Sequence, residues 1–588
     1  MKLILDIETN GFLDVLDKIH CMVFKDIETQ KVYSYNPDQI NEGLQLLKKA
    51  ELIVGHSVME FDLPAIEKVT GYKHEGEVLD TLLCSRLIWS NMTEIDYTKK
   101  NLPPKLIGKH SIESWGYRLA LRKGDFAETA SFDVWTQDMQ DYCERDVEVT
   151  FLLWKLIEKQ NYSKQAIKLE HNFAHWIIKQ SQGGVDFDKP SAETLFLSLQ
   201  KQRLEIEQKL SAVFGTWRKS TGFKTYKRDN KKRGIRAGVP VEQFKTEIFN
   251  PNSRDHIADR LKTLGWKPKS FTATGKPEVN EKVLKSLPYE EAKLISRHLL
   301  IQKRLGQLSD GEQAYLKLIT KEKKIHGKII TNGAVTGRCT HFNPNLAQVV
   351  SKGSEYGTEM RSLFVAPANM VMCGIDFSGL ELRVLSSFLY NFDSGDFANT
   401  LLKDDIHTKN QQILGLDSRA KAKTFIYAYI YSAGNERLSE ILNVSVEEAK
   451  RIRDKFEKAL PALKNLKTAV AVKYRNQKWI YGLDKRKLMC RAEYSSLNTL
   501  IQSAGSLLVK KGTVILNEDL QQAGFVWGKD YRMVLHVHDE MQFVVHKNRV
   551  EEFKEIAKDL FYKTKEYFNF KCELAGEIKV GSNWSETH

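Results

Sequence analysis

Residues 418–431 read SRAKAKTFIYAYIY, and the fold prediction starts from this stretch. Arg419, Lys423, Tyr427 and Tyr431 follow one another at intervals of four. At about 100° per residue each step drifts by only about 40°, so in a helix these side chains form one slanted stripe. The stripe offers two cations for a triphosphate and two aromatic rings for a base or a sugar. It therefore predicts a helix that binds a nucleotide.

Acidic residues end predicted strands on both sides of this helix. The segment VMCGID ends on Asp376, and HVHDEMQFVV (536–545) places Asp539 and Glu540 between two apolar runs. Such a strand-end Asp beside a hairpin-turn Asp could hold two Mg²⁺ ions across a reacting phosphate. Paired acids at a hairpin turn are more often ordinary solvated residues. The nucleotide-binding helix between the two segments is what favours a catalytic site.

A second set of acids begins at the N-terminus. In LILDIET (3–9), Asp6 and Glu8 point to the same face of a predicted strand, because strand side chains alternate. Asp62 follows another apolar strand, and Tyr142 and Asp146 share one face of a predicted helix. Surface strands often carry two acids without any function. Four acids from three elements predict a second two-metal site, in which Tyr142 orients the water that hydrolyses a phosphodiester.

These N-terminal segments resemble the three motifs of the DnaQ-type 3′→5′ exonucleases, in the usual order. The matching residues are DIET (6–9), FD (61–62) and YCERD (142–146). The resemblance implies an RNase H-like exonuclease domain that holds its metals through Asp6, Glu8, Asp62 and Asp146. Ser57 stands where that family commonly has Asn, at a position that contacts the substrate and is not a metal ligand.

The later segments resemble the family A DNA polymerases, the class of bacterial DNA polymerase I. Residues 376–381 match DxSxxE, the stripe on 419–431 matches RxxxKxxxxxxxY, and residues 538–540 match HDE. The phrases NGAVTGR (332–338) and DIHTKNQ (405–411) are similar to the compact replicases of short-tailed bacteriophages. The likeness covers nearly the whole chain, and we expect no 5′-nuclease domain ahead of the exonuclease.

The polymerase resemblance also implies how the metals are held. Asp376 and Asp539 would bind two Mg²⁺ ions, with the backbone carbonyl of Phe377 as a further ligand. Glu540 would support the site. The resemblance thus implies a template-directed DNA polymerase that adds dNTPs to a primer 3′ end, with two Mg²⁺ ions in each active site.

Nucleotide and DNA contacts are implied in the same way. Lys423 would also protonate the leaving pyrophosphate, and Glu381 would exclude ribonucleotides with help from Tyr431. Ala428 and Ser432 stand where phage relatives tend to have Gly and should stiffen this end of the helix. The implied nucleotide-binding residues are Arg419, Lys423, Tyr427, Tyr431, His407 and Glu381, and the implied DNA-binding residues are Arg338, Asn498, Gln502 and His538.

Residues 1 to about 185 alternate short apolar strands with helical stretches, the pattern of an α/β domain, and a chain of 588 residues is too long for one core, so we predict an α/β multidomain protein. An exonuclease domain would be followed by a right-hand polymerase, and QGGVDFDKP (182–190) reads as the boundary between them. The predicted domains are the exonuclease at 1–185, the thumb at 186–330, the palm at 331–400 and 485–588, and the fingers at 401–484.

Lys and Arg exceed Asp and Glu by 89 − 75 = 14, which suits a polyanionic partner but is a weak hint alone. Residues 218–238 concentrate the surplus, with nine Lys or Arg against one Asp. This segment is predicted to be a mobile loop that grips duplex DNA, although it could be merely solvated. Phage relatives carry a large thumb insertion that recruits host thioredoxin. Because this chain has only the short basic loop there, thioredoxin is not expected to be required.

The expected setting is the cytoplasm of an infected bacterium. No run approaches the ~18 apolar residues of a membrane span, and the N-terminal apolar run is too short for a signal peptide. The expected partners are primer–template DNA, dNTPs, a phage helicase–primase and a single-strand binding protein. Two alternatives remain open. A single-subunit phage-type RNA polymerase shares the palm chemistry, although the exonuclease motifs and Glu381 argue against it. A catalytically dead nucleic-acid-binding scaffold would not need the complete set of expected metal ligands.

Overall fold

The computed structural model describes residues 1–98, 102–121, 131–403 and 405–588. The chain divides into two compact units. The first unit comprises Met1–Val185, His326–Gly357 and Val365–His588, and the second comprises Asp186–Ile325 and Thr358–Phe364. The finer division into palm, fingers and thumb stays a prediction.

The described residues form the following strands and helices. The strands are β1 (Lys2–Thr9), β2 (Ile19–Asp26), β3 (Val32–Tyr35), β4 (Leu52–Gly55), β5 (Glu77–Asp80), β6 (Val185–Phe187), β7 (Thr216–Thr225), β8 (Pro240–Ile248), β9 (Lys324–Ile325), β10 (Lys328–Ile330), β11 (Thr340–Phe342), β12 (Phe364–Val365), β13 (Met370–Phe377), β14 (Trp479–Tyr481), β15 (Lys487–Met489), β16 (Tyr531–Val537), β17 (Glu540–His546) and β18 (Gly576–Gly581). The α-helices are α1 (Ile40–Leu47), α2 (Asp62–Thr70), α3 (Thr81–Ile88), α4 (Met92–Tyr97), α5 (Ile112–Arg118), α6 (Gln137–Lys159), α7 (Lys164–Gly183), α8 (Lys189–Phe214), α9 (Arg254–Thr263), α10 (Glu281–Ser286), α11 (Glu290–Leu305), α12 (Tyr315–Leu318), α13 (Gly357–Ser362), α14 (Leu380–Asp393), α15 (Asp396–Lys403), α16 (Ile406–Leu414), α17 (Arg419–Ile430), α18 (Asn435–Leu442), α19 (Val446–Ala459), α20 (Pro461–Gln477), α21 (Ser496–Gln522) and α22 (Val550–Tyr567).

The N-terminal part of the first unit is built on a five-stranded sheet in the order β3-β2-β1-β4-β5. Strand β1 is central, antiparallel to β2 and parallel to β4. Helix α6 buries Cys143, Val147 and Phe151 in the cluster that covers one face of this sheet. Because the neighbouring strands hold β1 on both sides, acids on this strand have a fixed backbone beneath them.

The C-terminal part of the same unit contains a four-stranded antiparallel sheet in the order β16-β17-β13-β18. The strands predicted on either side of the helix at 418–431 are confirmed as β13 and as β16 with β17, and α16 to α20 lie between them. Helix α21 runs for 27 residues and is buried along most of its length. Its apolar side chains belong to the same core as those of β13 and β17.

The second unit contains the long helices α8 and α11. The prediction of a loop at 218–238 is wrong for residues 218–225, which belong to β7, whereas residues 226–238 connect β7 to β8. Strands β7 and β8 pair as an antiparallel hairpin from Thr216 opposite Ile248 to Thr225 opposite Pro240. Half-buried and exposed residues alternate along the start of β7, as expected for a strand with one covered face. The many Lys and Arg residues of this segment hid the two-residue alternation of the strand in the sequence.

Among the helices within the described residues, none combines the length and the apolar character that a membrane-spanning segment needs.

Candidate active sites

Three acids of the N-terminal set meet near the C-terminal end of β1. The metal-binding oxygens of Asp6, Glu8 and Asp146 all lie within 4.8 Å of one another. Asp6 and Glu8 share one face of the strand, and α6 brings Asp146 to the same place. Carboxylates at this distance repel one another unless a cation lies between them. The cluster therefore has the donor type and the charge that a hard divalent cation prefers.

Asp62 lies beside this cluster but is turned partly towards the backbone. Its Oδ1 accepts a hydrogen bond from the backbone N–H of Ile7 at 3.2 Å. Burial, with smaller contributions from the carboxylates of Asp80 and Asp146, raises the pKa of Asp62 to about 7. Asp62 and Tyr142 line the same open cleft as the other three acids, a space of about 1370 Å³. The structure thus brings all five predicted residues together.

Two neighbours of this cluster were not found from the sequence. Asp80 caps α3, and its Oδ1 also accepts a hydrogen bond from the backbone N–H of Ser57 at 3.1 Å. This contact fixes Ser57 at a φ of 65°, a conformation that Asn adopts more readily than Ser. The thiol of Cys143 donates to Asp6 Oδ2 at 3.3 Å, so it helps to hold that carboxylate. Asp80 ends an apolar strand, and this was the only signal available for either residue.

The C-terminal acids meet on the four-stranded sheet. Asp376 lies directly opposite Glu540 in the register of β13 and β17. The backbone N–H of Phe377 donates to the carbonyl of Asp539 at 3.2 Å, which joins the strand end to the hairpin turn. Partial burial, together with the nearby carboxylates of Asp539 and Glu540, raises the pKa of Asp376 to about 7. A cation at this site would favour the ionised form of Asp376.

Glu540 is held by donors from the end of the chain. Its Oε1 accepts hydrogen bonds from the Trp584 indole and from Gln542 Nε2, the latter at 2.6 Å. His588 Nδ1 lies 2.7 Å from its Oε2. Burial alone would raise the pKa of Glu540, but the contacts with His588, Trp584 and Gln542 outweigh it and lower the pKa. His588 carries no sequence signal for this contact.

Helix α17 presents the expected stripe to solvent. Its residues Phe425, Ile426 and Ile430 are buried on another face. Arg419 Nε donates to Asp405 Oδ2 at 2.5 Å, and this hydrogen bond is the main reason that the pKa of Asp405 is lowered. Lys423 has no carboxylate within ion-pair distance among the residues that the structure describes. The two cations of the stripe therefore differ in their readiness to bind a phosphate, because Arg419 would first have to give up its hydrogen bond to Asp405 whereas Lys423 would not.

The aromatic half of the stripe lies near the carboxylates of Glu381 and Asp539. Burial raises the pKa of Tyr427, as do the charges of Glu381 and Asp539. His407 is buried, with its ring centroid 6.2 Å from that of Tyr427. The Tyr431 hydroxyl donates a hydrogen bond to Glu381. These contacts bring Tyr427, Tyr431, His407 and Glu381 into one region.

The predicted DNA-binding residues are only partly brought together. Arg338, Glu381, His538 and Asp539 line one cavity. Arg338 Nη2 lies 3.6 Å from Glu381 Oε1. Burial lowers the pKa of His538, and the charge of Arg338 lowers it further. Asn498 and Gln502 lie half-buried, one turn apart on α21, and are not among the residues lining this cavity. Their contact with DNA stays a prediction.

Comparison with known proteins identifies the family. Residues 224–586 match the family described as DNA polymerase family A. This chain is a family A DNA polymerase. The polymerase is 33% identical to the DNA-directed DNA polymerase of Enterobacteria phage T3, with 100% of both chains covered. It is also 33% identical to that of Escherichia phage T7, with 99% of both chains covered.

A solved structure supports the same fold. The POL domain of Pol1 from M. smegmatis, in complex with DNA primer-template and dNTP, has a TM-score of 0.76 at 14% identity. The match covers 100% of this polymerase and 96% of that chain. The predicted right-hand polymerase fold is confirmed, and so is the prediction of a DNA-directed DNA polymerase. The alternative of a phage-type RNA polymerase is not favoured.

Proposed function

We propose that this family A polymerase is a phage replicase with two active sites. It extends a primer at Asp376 and Asp539, and it removes mispaired 3′ ends at Asp6, Glu8, Asp62 and Asp146. The observation that carries the proposal is the pair of separate carboxylate clusters, each fixed on a central strand of its own sheet. A dead scaffold would have no use for either cluster.

Mg²⁺ fits the polymerase cluster. Asp376 is half-buried, and loss of solvent together with two neighbouring carboxylates raises its pKa to about 7, so the site favours a cation that offsets the charge. Asp376, Asp539 and the carbonyl of Phe377 would hold two ions, which would neutralise charge on the reacting phosphates. Glu540 positions the turn through its contacts with Trp584, Gln542 and His588.

The nucleotide-binding helix supplies the remaining groups for synthesis. Lys423 and Arg419 bind the triphosphate, and Lys423 gives its proton to the leaving pyrophosphate. In-line attack of the primer 3′-hydroxyl then depends mainly on positioning and on charge neutralisation. Glu381, held by Tyr431 and Arg338, occupies the space that a ribose 2′-hydroxyl would need.

An RNase H-like exonuclease domain is supported by the strand order β3-β2-β1-β4-β5 and by its central acidic strand. The oxygens of Asp6, Glu8 and Asp146 are close enough to share a divalent ion, and Asp62 would complete the set. Tyr142 orients the attacking water. The thiol of Cys143 restrains the carboxylate of Asp6.

Separate loss of the two activities tests this proposal. Asp376→Ala should abolish primer extension and leave degradation of single strands intact, whereas Asp6→Ala with Glu8→Ala should do the opposite. Glu577→Ala is a matched control, since Glu577 lies opposite Asp376 on β18 but has no proposed role. Normal synthesis by Asp376→Ala, or continued trimming of a mismatched end by the double variant, would overturn the assignment.

The phage relatives support a role in viral DNA replication inside an infected bacterium. A helicase–primase and a single-strand binding protein are the partners that we expect. We expect thioredoxin not to be required. The alignment with the phage T3 enzyme spans 704 positions and includes the whole chain of 588 residues. At least 704 − 588 = 116 of those positions are therefore gaps in this polymerase.

A further inference from the structure

The end of the β7–β8 hairpin concentrates positive charge. Residues 227–236, named here the basic tip, read KRDNKKRGIR. All six cations are exposed to solvent, and Asp229 is the only acid among these ten residues. The cations are Lys227, Arg228, Lys231, Lys232, Arg233 and Arg236.

Hydrogen bonds hold the basic tip in a defined conformation. The backbone N–H of Gly238 donates to the carbonyl of Tyr226 at 2.9 Å, and Asn230 forms a β-bridge with Ile235. Asp229 Oδ1 accepts the backbone N–H of Ala237 at 2.7 Å. The one carboxylate of the tip therefore serves the turn, as Asp commonly does.

Cations nearer the base of the hairpin have internal partners. Lys219 Nζ lies 2.7 Å from Asp259 Oδ2, and Lys245 Nζ lies 3.5 Å from Glu247 Oε1. Within the described parts of the chain, none of the six tip cations has a carboxylate within ion-pair distance. Like charges crowded in this way repel one another, and a polyanion would offset that repulsion.

We propose that the basic tip binds the sugar–phosphate backbone of the duplex part of the primer–template. A family A polymerase acts on such a duplex, so the complementary polyanion is its own substrate. Residues 227–236 contain no aromatic side chain, whereas proteins that bind single strands stack bases on aromatic rings. Contacts to the DNA phosphates do not depend on the base sequence, which suits an enzyme that must move along DNA of any sequence. The inference rests on the polymerase assignment and not on the exonuclease.

Salt dependence tests the contact directly. Each phosphate contact on duplex DNA contributes about 0.9 to the slope of log affinity against log salt. Replacing Lys231, Lys232, Arg233 and Arg236 by Gln should lower that slope by up to about 3.6. Between 50 and 200 mM salt, the native enzyme should then lose up to about 150-fold more affinity than the variant. Fluorescence titration of a labelled primer–template measures this, and products made after one binding event should be shorter.

The matched control removes four cations that already have partners. Lys554, Lys558, Lys563 and Lys565 each lie within 3.0 Å of a carboxylate oxygen, so replacing them by Gln gives the same change in net charge. This control should keep the native slope. Asp229→Asn retains an oxygen for Ala237 and removes one negative charge, so it should bind duplex more tightly.

Nucleotide incorporation on a saturated complex should be unchanged in the four-Gln tip variant, which separates this proposal from a failure of the active site. An unchanged slope on duplex DNA would overturn the proposal. Equal effects in the control variant, a larger effect on single-stranded oligonucleotide than on duplex, or no tightening by Asp229→Asn would do so as well.

Discussion

A buried cluster of four charges gives a prediction that can be worked out in detail. Lys510 Nζ lies 2.7 Å from Glu170 Oε1, and Arg486 Nη1 lies 2.8 Å from the same oxygen. Arg486 also binds Asp484 through several contacts, the shortest of 2.7 Å. All four side chains are 1% exposed or less. The cluster is neutral as a whole, with two cations and two anions.

Removing one member leaves a net charge in the core. Lys510→Met leaves an excess anion and Glu170→Gln leaves an excess cation, and each should lower the free energy of unfolding by about 3–5 kcal/mol. The double variant keeps only the neutral Arg486–Asp484 pair. It should therefore cost no more than either single change, whereas independent effects would add to about 6–10 kcal/mol.

Urea unfolding followed by tryptophan fluorescence measures these differences. An exposed pair, Lys558→Met with Glu555→Gln, is the control, because surface pairs contribute about 0–1 kcal/mol and should give a small additive effect. The reasoning would be refuted if the double variant at Glu170 and Lys510 lost as much free energy of unfolding as the two single variants added together. So would single variants as stable as the native protein.

The pH dependence gives an independent check on Glu170. Burial alone would raise its pKa, but Lys510 and Arg486 outweigh burial and lower the pKa below its ordinary value of 4.5. A carboxylate with a lowered pKa stabilises the fold above its unfolded pKa and loses that contribution as the pH falls through the folded pKa. The native protein should therefore exceed Glu170→Gln in free energy of unfolding by its full margin above pH 4.5, and this margin should shrink as the pH falls below 4.5. An advantage that grew in acid would contradict this.

Three further predictions concern the nucleotide helix and the accessory factor. Tyr427→Phe removes the tyrosine hydroxyl, and because a hydrogen bond to a charged group contributes about 1.5–3 kcal/mol, discrimination against dideoxynucleotides should increase by more than about tenfold. Competing incorporation of dNTP and ddNTP measures this ratio. An unchanged ratio would assign sugar selection to another residue. The hydroxyl of Ser432 donates a hydrogen bond to the carbonyl of Tyr494, so Ser432→Ala should lower the free energy of unfolding by about 1 kcal/mol. Ser432 also has a φ of 61°, a backbone conformation that Gly adopts without strain. Ser432→Gly should therefore be more stable than Ser432→Ala in thermal unfolding. Adding purified thioredoxin should leave product lengths unchanged, and clear stimulation would contradict the expectation that it is not required.

Most of the candidate catalytic residues could be predicted from the sequence because their chemistry requires fixed residue types at short spacings. Two acids two apart on a strand share a face, and cations and rings four apart on a helix share a stripe. Both arrangements are present, at Asp6 and Glu8 and along α17. The family assignment is confirmed, while the individual catalytic roles stay predictions.

Local patterns failed where charge masked them or where partners are distant in sequence. The alternation along β7 and β8 was hidden by the many cations, so a hairpin was taken for a loop. Asp405 was matched to the family, but its hydrogen bond to Arg419, a residue 14 positions later, was not expected. His588 carried no signal for its approach to Glu540.

By itself the sequence determined the family of this polymerase and which side chains share a strand face or a helix stripe, because residue type and spacing along one strand or one helix are local properties. Tertiary structure alone decided which charges are buried together. Glu170 and Lys510 are 340 residues apart, and only the packing of α7 against α21 makes them neighbours. It also decided that Asp376 loses solvent beside Asp539 and Glu540, which raises its pKa. Desolvation and long-range pairing depend on what the folded chain places around a group, and no local pattern records that.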